Sequence, residues 1–310
     1  MLVSVVTTCY NSANYIERTI LAVLNQKLVD CDIEYIISDD GSTDDTISVI
    51  KTIIDTHEKG SRIQLIEHPK NIGVVQNFFR AIDACQGDYI AFCDSDDIWV
   101  DCCKLSKQLK FMESSIECVL TYHRLVDIEF NEVPSNYYSL SNHNPVLTTH
   151  TSTLMIRSNA LEIPWTLLPK MTRMNDQLLK FLLRNKGFFR PLLHIEPNIR
   201  VIRSESVFAS PRSQIDRAKS SLFNWTRIYE HYKNSEHEDY LAQKVQGFAS
   251  IMKWLKYEEH KEVQFFWDAI YYDFRTGVFF RRLQANLKSF LFKPLVYVKW
   301  RFLEKQQLRK

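Results

Sequence analysis

Three carboxylates crowd the end of one apolar run. In DYIAFCDSDDIW, residues 88–99, Asp94, Asp96 and Asp97 follow directly on a strand-like stretch. Acid groups at the carboxyl end of a strand in a parallel sheet stand where open α/β folds take their ligands. Like charges this close repel, and a divalent cation relieves them. Oxygen donors of this kind suit Mg2+ or Mn2+, which commonly bridge a protein to substrate phosphates. The same cluster would also serve to cap a helix starting near Asp101, so these residues alone leave two readings open.

The elements that must position the cluster lie upstream. VSVVTT (3–8) is a β-branched run that predicts a strand, and Ile16, Ile20, Val23 and Leu24 share one face of a following helix. IEYIIS (33–38) predicts a second strand, ending at Asp39, Asp40 and Gly41. Ser42, Thr43 and Asp44 can then cap a helix to about His57. RIQLIEH (62–68) predicts a third strand, NIG (71–73) a turn, and the next stretch a helix to about Ala84. DYIAFCD (88–94) is the fourth strand. This alternation implies a mainly parallel sheet with helices on both faces. Periodicity weakens after residue 123. Residues 131–150 read as a loop, 149–158 as a strand entering a turn, and 173–187 as a helix capped by Asn175 or Asp176 and stopped by Gly187. From Ser213 onward the pattern is helical and aromatic-rich.

The chain has 310 residues, enough for a full core and for more than one domain of ordinary size. With 45% hydrophobic and 25% charged residues it has the composition of a soluble protein, and only 7 glycines argue against fibrous or linker-rich architectures. Its seven cysteines form no CxxC pair and all lie within the first 118 residues, which fits reduced thiols of a cytosolic protein. The N-terminus lacks the basic region of a signal peptide, and no apolar run is long enough to predict a membrane span. Net charge is +2, unevenly placed: residues 281–310 hold nine Lys/Arg and one acid, net +8, leaving −6 for the rest.

Three segments taken in order, VSVVTTCYNSANYIERTILAVLNQ, IEYIISDDGSTDDT and NIGVVQNFFRAIDACQGDYIAFCDSDDIW, resemble the nucleotide-sugar domain of glycosyltransferase family 2, the inverting GT-A class. The likeness is greatest to its bacterial rhamnosyltransferase-like, surface-polysaccharide branch, which makes capsule and O-antigen. It is strong over residues 1–120 and thins beyond about 210. It implies a GT-A, Rossmann-like, mainly parallel sheet with flanking helices over 1–210, followed by a helical C-terminal region over 211–310. It further implies transfer of a sugar from a nucleotide-diphosphate donor to a glycan hydroxyl with Mg2+ or Mn2+.

Carried over residue by residue, the resemblance gives Thr8 and Asp40 to the nucleotide base and Asp94 to ribose or metal-bound water. Asp96 goes to the metal, Asn71 and Asn77 near the donor, and Asp176 in RMNDQLLKF becomes the base that takes the acceptor's proton. Asp176 equally suits helix capping, and Asp97 either shares the metal or caps the next helix. Asp127, Glu129, Glu132 and Glu162 are competing carboxylates in less suggestive contexts.

Two departures stand out: Gln76 occupies a position where many members have Arg, and the stretch NIRVIRSESVFAS (198–210) has no Arg-x-His pattern. Arg200 or Arg203 could meet phosphate there, and His194 reads as structural. These departures keep open an alternative, a non-catalytic sugar-nucleotide-binding or scaffolding subunit. A nucleotidyltransferase would need a Gly-rich basic loop after the first strand, which TTCYNSANY does not supply. The tail 281–310, with five aromatics among its basic residues and Pro294 between two short helices, suits an anionic bilayer and a lipid-linked acceptor. The expected location is therefore cytoplasmic, peripheral on the inner membrane. No nucleic-acid-binding motif is present.

Overall fold

The computed structural model describes residues 1–28, 31–129, 145–172, 175–202 and 211–260. The chain divides into two compact units, Met1–Ser206 and Val207–Lys310.

The first unit grows from β1 (Leu2–Cys9), which runs parallel to both β2 (Asp32–Asp39) and β4 (Tyr89–Phe92); β3 (Ile63–Glu67) lies outside β2. Alternation along the strands sorts their side chains. Val3, Val5, Tyr35, Ile37, Tyr89 and Ala91 join one core with the apolar faces of α1 (Ile16–Leu24), α2 (Thr46–Thr56) and α4 (Lys104–Ser114). On α3 (Val74–Asp83), Phe78 stacks on Phe92 of β4 at 5.2 Å between centroids and meets Phe79 edge-on at 5.3 Å. The four strands and four helices fall close to where apolar spacing placed them.

The second half of this unit completes the sheet. β5 (Cys118–Tyr122), β8 (Met155–Arg157) and β9 (Phe188–Pro191) extend it to the order β3-β2-β1-β4-β8-β5-β9. β8 is antiparallel to both β4 and β5. The GT-A expectation of a large, mostly parallel α/β sheet is met. A separate three-stranded sheet has the order β10-β6-β7, built from β6 (Arg124–Glu129), β7 (Val146–Leu147) and β10 (Asn198–Ile202). Ile98, just past the carboxylate cluster, is tied to this sheet by reciprocal backbone bonds with Ile199, 2.9 and 3.0 Å. Ile98 packs there with Val126, Ile128, Ile199 and Val201.

Two expected elements are shorter than predicted. Within 149–158 only Met155–Arg157 is strand, because Thr151–Thr153 forms a 3-10 turn. α5 (Asn175–Leu183) ends before Gly187. A Cβ at Gly187 would lie 2.2 Å from the Glu117 carbonyl oxygen, so this glycine lets the chain pass close beside β5.

In the second unit, α6 (Pro211–His231) and α7 (Glu238–His260) pack on each other, with Trp225 and Tyr240 edge-to-face at 6.4 Å. The expected bilayer-facing tail, 281–310, lies outside the described residues. No described helix is long and apolar enough to cross a membrane.

Candidate active site

β4 delivers the carboxylates and its neighbours fix them. The Asp97 amide donates to the Asp94 carbonyl at 3.0 Å, closing a turn. Thr19 Oγ1 donates to the carbonyl oxygens of Ser95 and Asp97, at 3.1 and 2.9 Å, and Thr7 Oγ1 to that of Cys93 at 2.8 Å. The start of α4 carries no side-chain cap: Cys103 stands at its N-cap position and makes no such bond. Asp101 accepts from the Cys103 amide at 2.8 Å, from Lys107 Nζ at 2.6 Å and from the Glu196 amide at 3.1 Å. The acid cluster is therefore not spent on the start of α4.

Asp97 is 1% exposed and its Oδ2 has no hydrogen-bond donor. Across from it stands His150. Its Nε2 lies 3.8 Å from Asp94 Oδ2, and its Nδ1 lies 3.5 Å from Asp97 Oδ2 and 3.1 Å from Ser152 Oγ. One ligand atom each from Asp94, Asp97 and His150 falls within 4.8 Å of the other two. The residues fit a divalent cation on that ground: a buried carboxylate oxygen without a donor is costly unless a positive charge meets it.

The charges around the cluster shape its titration. Removal from water, then the Asp96 and Asp176 carboxylates, push Asp94 up to about 7, with Arg200 pulling the other way. Asp97 is raised well above the usual carboxylate range by burial and by Asp96 and Asp94. Burial and the Arg200 charge push His150 down to about 4, so its ring is neutral at pH 7 and has a lone pair to offer.

A pH dependence follows. Asp94 binds protons more tightly folded than unfolded, where its value is near 3.8. The cost of ionising it is absent below about pH 4 and complete above about 7, so stability falls as pH rises through that window. Thermal melts of metal-free protein should show this decline, flatter in Asp94→Asn. Mn2+ should raise the melting temperature most at the alkaline end.

The same interactions locate the remaining groups. Asp176, in the first turn of α5, acts electrostatically on both Asp94 and His150, and its Oδ2 accepts from Lys180 Nζ at 2.9 Å. Arg200 on β10 grips Asp127 of β6 through two bonds, 2.9 and 2.6 Å, while its charge reaches Asp94, Asp97 and His150. Of the competing carboxylates, Asp127 is thus engaged, and Glu162 pairs with Lys186 at 2.7 Å on the surface. Glu129 is exposed. Glu132 and Arg203 lie outside the described residues. His194 is exposed.

The residues expected to hold the donor divide. Thr8 is half-buried at the carboxyl end of β1, paired in register with Ser38. Asp40, 4% exposed, accepts from the amides of Ile72 at 2.7 Å and Gly73 at 3.2 Å, clamping the turn before α3. Asn77 is 2% exposed and its amide is spent on Ser38: it accepts from Oγ at 2.6 Å and donates to the carbonyl at 3.0 Å. Gln76 donates to the Ile72 carbonyl at 2.9 Å.

Gly41 lets β2's end approach that same turn. It has φ +75°, and a Cβ there would lie 2.7 Å from the Lys70 carbonyl carbon and 2.8 Å from the Asn71 nitrogen. Gly41→Ala should cost about 1–3 kcal/mol in chemical denaturation, from the left-handed backbone and the contact together.

His150 went unrecognised in the sequence. The one weak signal was a histidine set in a run of threonines and a serine, TTHTST, where no apolar period explains it.

Comparison with known proteins accords with this geometry. A model of the family described as glycosyl transferase family 2 matches residues 4–168. An uncharacterized glycosyltransferase of Haemophilus influenzae is 39% identical over 134 residues, 43% of this chain and 51% of that protein. A putative teichuronic acid biosynthesis glycosyltransferase, TuaG, of Bacillus subtilis is 43% identical over 112 residues, 36% of this chain and 42% of its own length. Chondroitin synthase of Escherichia coli is 35% identical over 137 residues, 44% of this chain and 19% of that protein. The matches thus span about half the length of these relatives or less.

Solved structures share the fold, and two of them illustrate it. Mannosyltransferase PcManGT of Pyrobaculum calidifontis, in complex with GDP-Man and Mn2+, has a TM-score of 0.59 at 15% identity, covering 96% of this chain and 82% of that one. S. aureus TarS in complex with UDP has a TM-score of 0.55 at 18% identity, covering 81% and 71%. The family match takes in more than half of the residues, and on that ground the chain belongs to glycosyl transferase family 2.

Proposed function

We propose that this chain is an inverting, metal-dependent glycosyltransferase. It moves a hexosyl or deoxyhexosyl group from a nucleotide-diphosphate donor to a hydroxyl of a lipid-linked glycan, in bacterial surface-polysaccharide synthesis at the inner membrane's cytoplasmic face. The observation that carries the reading is the meeting of Asp94, Asp97 and His150 at the end of β4, with Asp176 within electrostatic reach. Relatives named for teichuronic acid and chondroitin synthesis support the substrate class. Neighbours holding UDP-GlcNAc, or GDP-Man with Mn2+, support the donor class.

The residues then take these parts. Thr8 and Asp40 stand at adjoining strand ends, where a base would lie. Asp40 would accept from it through the lone pairs left over by the amide bonds that hold the 71–73 turn in place. Asn77 acts at one remove, holding the end of β2 through Ser38. Asp94 serves ribose and cation, and Asp96 and Asp97 complete the acidic set. When bound, the cation supplies Lewis acidity to the departing diphosphate. Arg200 is set in place by Asp127 and adds the positive charge that a phosphate needs. Asp176, oriented by Lys180, takes the proton from the attacking hydroxyl.

Incubating the protein with Mn2+ and a panel of nucleotide sugars tests the reading. A true donor raises the melting temperature and is consumed, by transfer or slow hydrolysis. A scaffolding subunit would be stabilised without turnover. A full panel with no stabilisation refutes donor binding altogether.

A further inference from the structure

Among the described residues, ligand atoms of the His/Cys/Asp/Glu type converge in one group, and that group contains an imidazole. His150 belongs to a different element from its two carboxylate partners, so the meeting is made by the fold. Three bonds secure it. Trp99 Nε1 and Asn198 Nδ2 both donate to the Ser152 carbonyl, at 3.0 and 2.7 Å, fastening the 151–153 turn to the acid loop and to β10. The Thr153 amide donates to the His150 carbonyl at 2.9 Å and closes the turn. Ser152 Oγ, 3.1 Å from Nδ1, sets the ring's orientation and leaves Nε2 facing Asp94.

The distances between ring and carboxylates, 3.8 Å to Asp94 and 3.5 Å to Asp97, are too long for hydrogen bonds. Asp97 Oδ2, buried and aimed into the group, has no donor. Three ligand atoms gathered within 4.8 Å of one another suit the coordination shell of a cation, in which an imidazole nitrogen joins two carboxylates.

We propose that His150 is a nitrogen ligand of the divalent cation held by Asp94 and Asp97, and that it biases the site from Mg2+ toward Mn2+ and Co2+. The inference rests on the cation reading above. Mg2+ takes oxygen shells, whereas imidazole favours first-row transition ions, increasingly from Mn2+ to Co2+.

Pulsed electron paramagnetic resonance of Mn2+ added to the full chain reads the ligand directly, because a coordinated imidazole nitrogen modulates the echo. The wild-type protein should show this 14N coupling. His150→Gln should lose it, bind Mn2+ about tenfold or more weakly, and lose most of its preference for Mn2+ over Mg2+. Bound Mn2+ without nitrogen coupling in the wild type would overturn the role of His150 and leave the cation reading standing. Coupling that survives in His150→Gln would do the same. If Mn2+ does not bind the wild type at all, the cation reading itself fails and takes this inference with it. The wild-type spectrum decides even if the variant does not fold.

Discussion

Asp176→Asn is expected to abolish sugar transfer while leaving donor binding near the wild-type level. The substitution keeps the size and hydrogen-bonding reach of the side chain and removes its ability to take a proton. Positioned general bases contribute about 10²–10⁴-fold, so a loss in that range is the expected reading. The fold should survive: Leu178, Leu179 and Leu183 are buried and anchor α5 independently of Asp176. Removing the Asp176 charge also relieves Asp94, whose carboxyl Asp176 helps to push up, so the pH dependence of Mn2+ binding should move slightly toward acid. Lys180 loses its 2.9 Å ion pair, but a partly exposed pair of this kind contributes less than about 1 kcal/mol. The measurement is a transfer assay beside calorimetry with the donor and Mn2+. Transfer within a few-fold of wild type would move the base elsewhere. Loss of both transfer and donor affinity would mean that Asp176 shapes the donor site instead.

The first half of this fold was legible because its elements are local. Val3, Val5, Ile16, Ile20, Ile36 and Ile37 follow the periods of strand and helix, and each is buried where the period puts it. The carboxylate cluster was legible for a related reason: a strand-like run ending in Asp94, Asp96 and Asp97 announces both its element and its position. What failed to show depends on contacts between distant segments. β6 and β10 are short strands that gain their partners only in a separate sheet, pairing Leu125 with Asn198 although β7, β8, α5 and β9 lie between them in the chain. Lys104 looks like an ordinary surface lysine, yet it is fully buried over the Trp99 ring, bonded to Gln108 at 2.8 Å and pushed down to about 7 by burial. His150 had to be missed on the same grounds. Residues 149–158 read as strand, which would have scattered its polar groups over two faces. The turn at Thr151–Thr153 instead swings the imidazole back onto the acid loop. The stretch 198–210, where the resemblance implies an Arg-x-His pattern, holds no histidine, while the one that meets the carboxylates precedes α5.

Asp96→Ala should separate the site's function from its stability in opposite directions. Asp96 raises both Asp94 and Asp97 by like-charge repulsion, and the loop that carries it is held by Thr7, Thr19 and the Asp97–Asp94 turn. Deleting its carboxylate removes repulsion that the metal-free fold must bear. The metal-free variant should therefore melt higher than metal-free wild type at pH 8, where the neighbouring acids are most costly. With Mn2+ the order reverses. The variant loses part of the negative charge that holds the ion, so its gain in melting temperature on adding Mn2+ should shrink to a small fraction of the wild-type gain. Turnover should drop by about 10²-fold or more, since electrostatic stabilisation of a leaving diphosphate is worth several kcal/mol. Near-normal metal-dependent activity in Asp96→Ala would assign the cation to Asp94, Asp97 and His150 without it. A metal-free variant less stable than wild type would instead give Asp96 a structural role in the loop, because relief of repulsion can only raise the melting point.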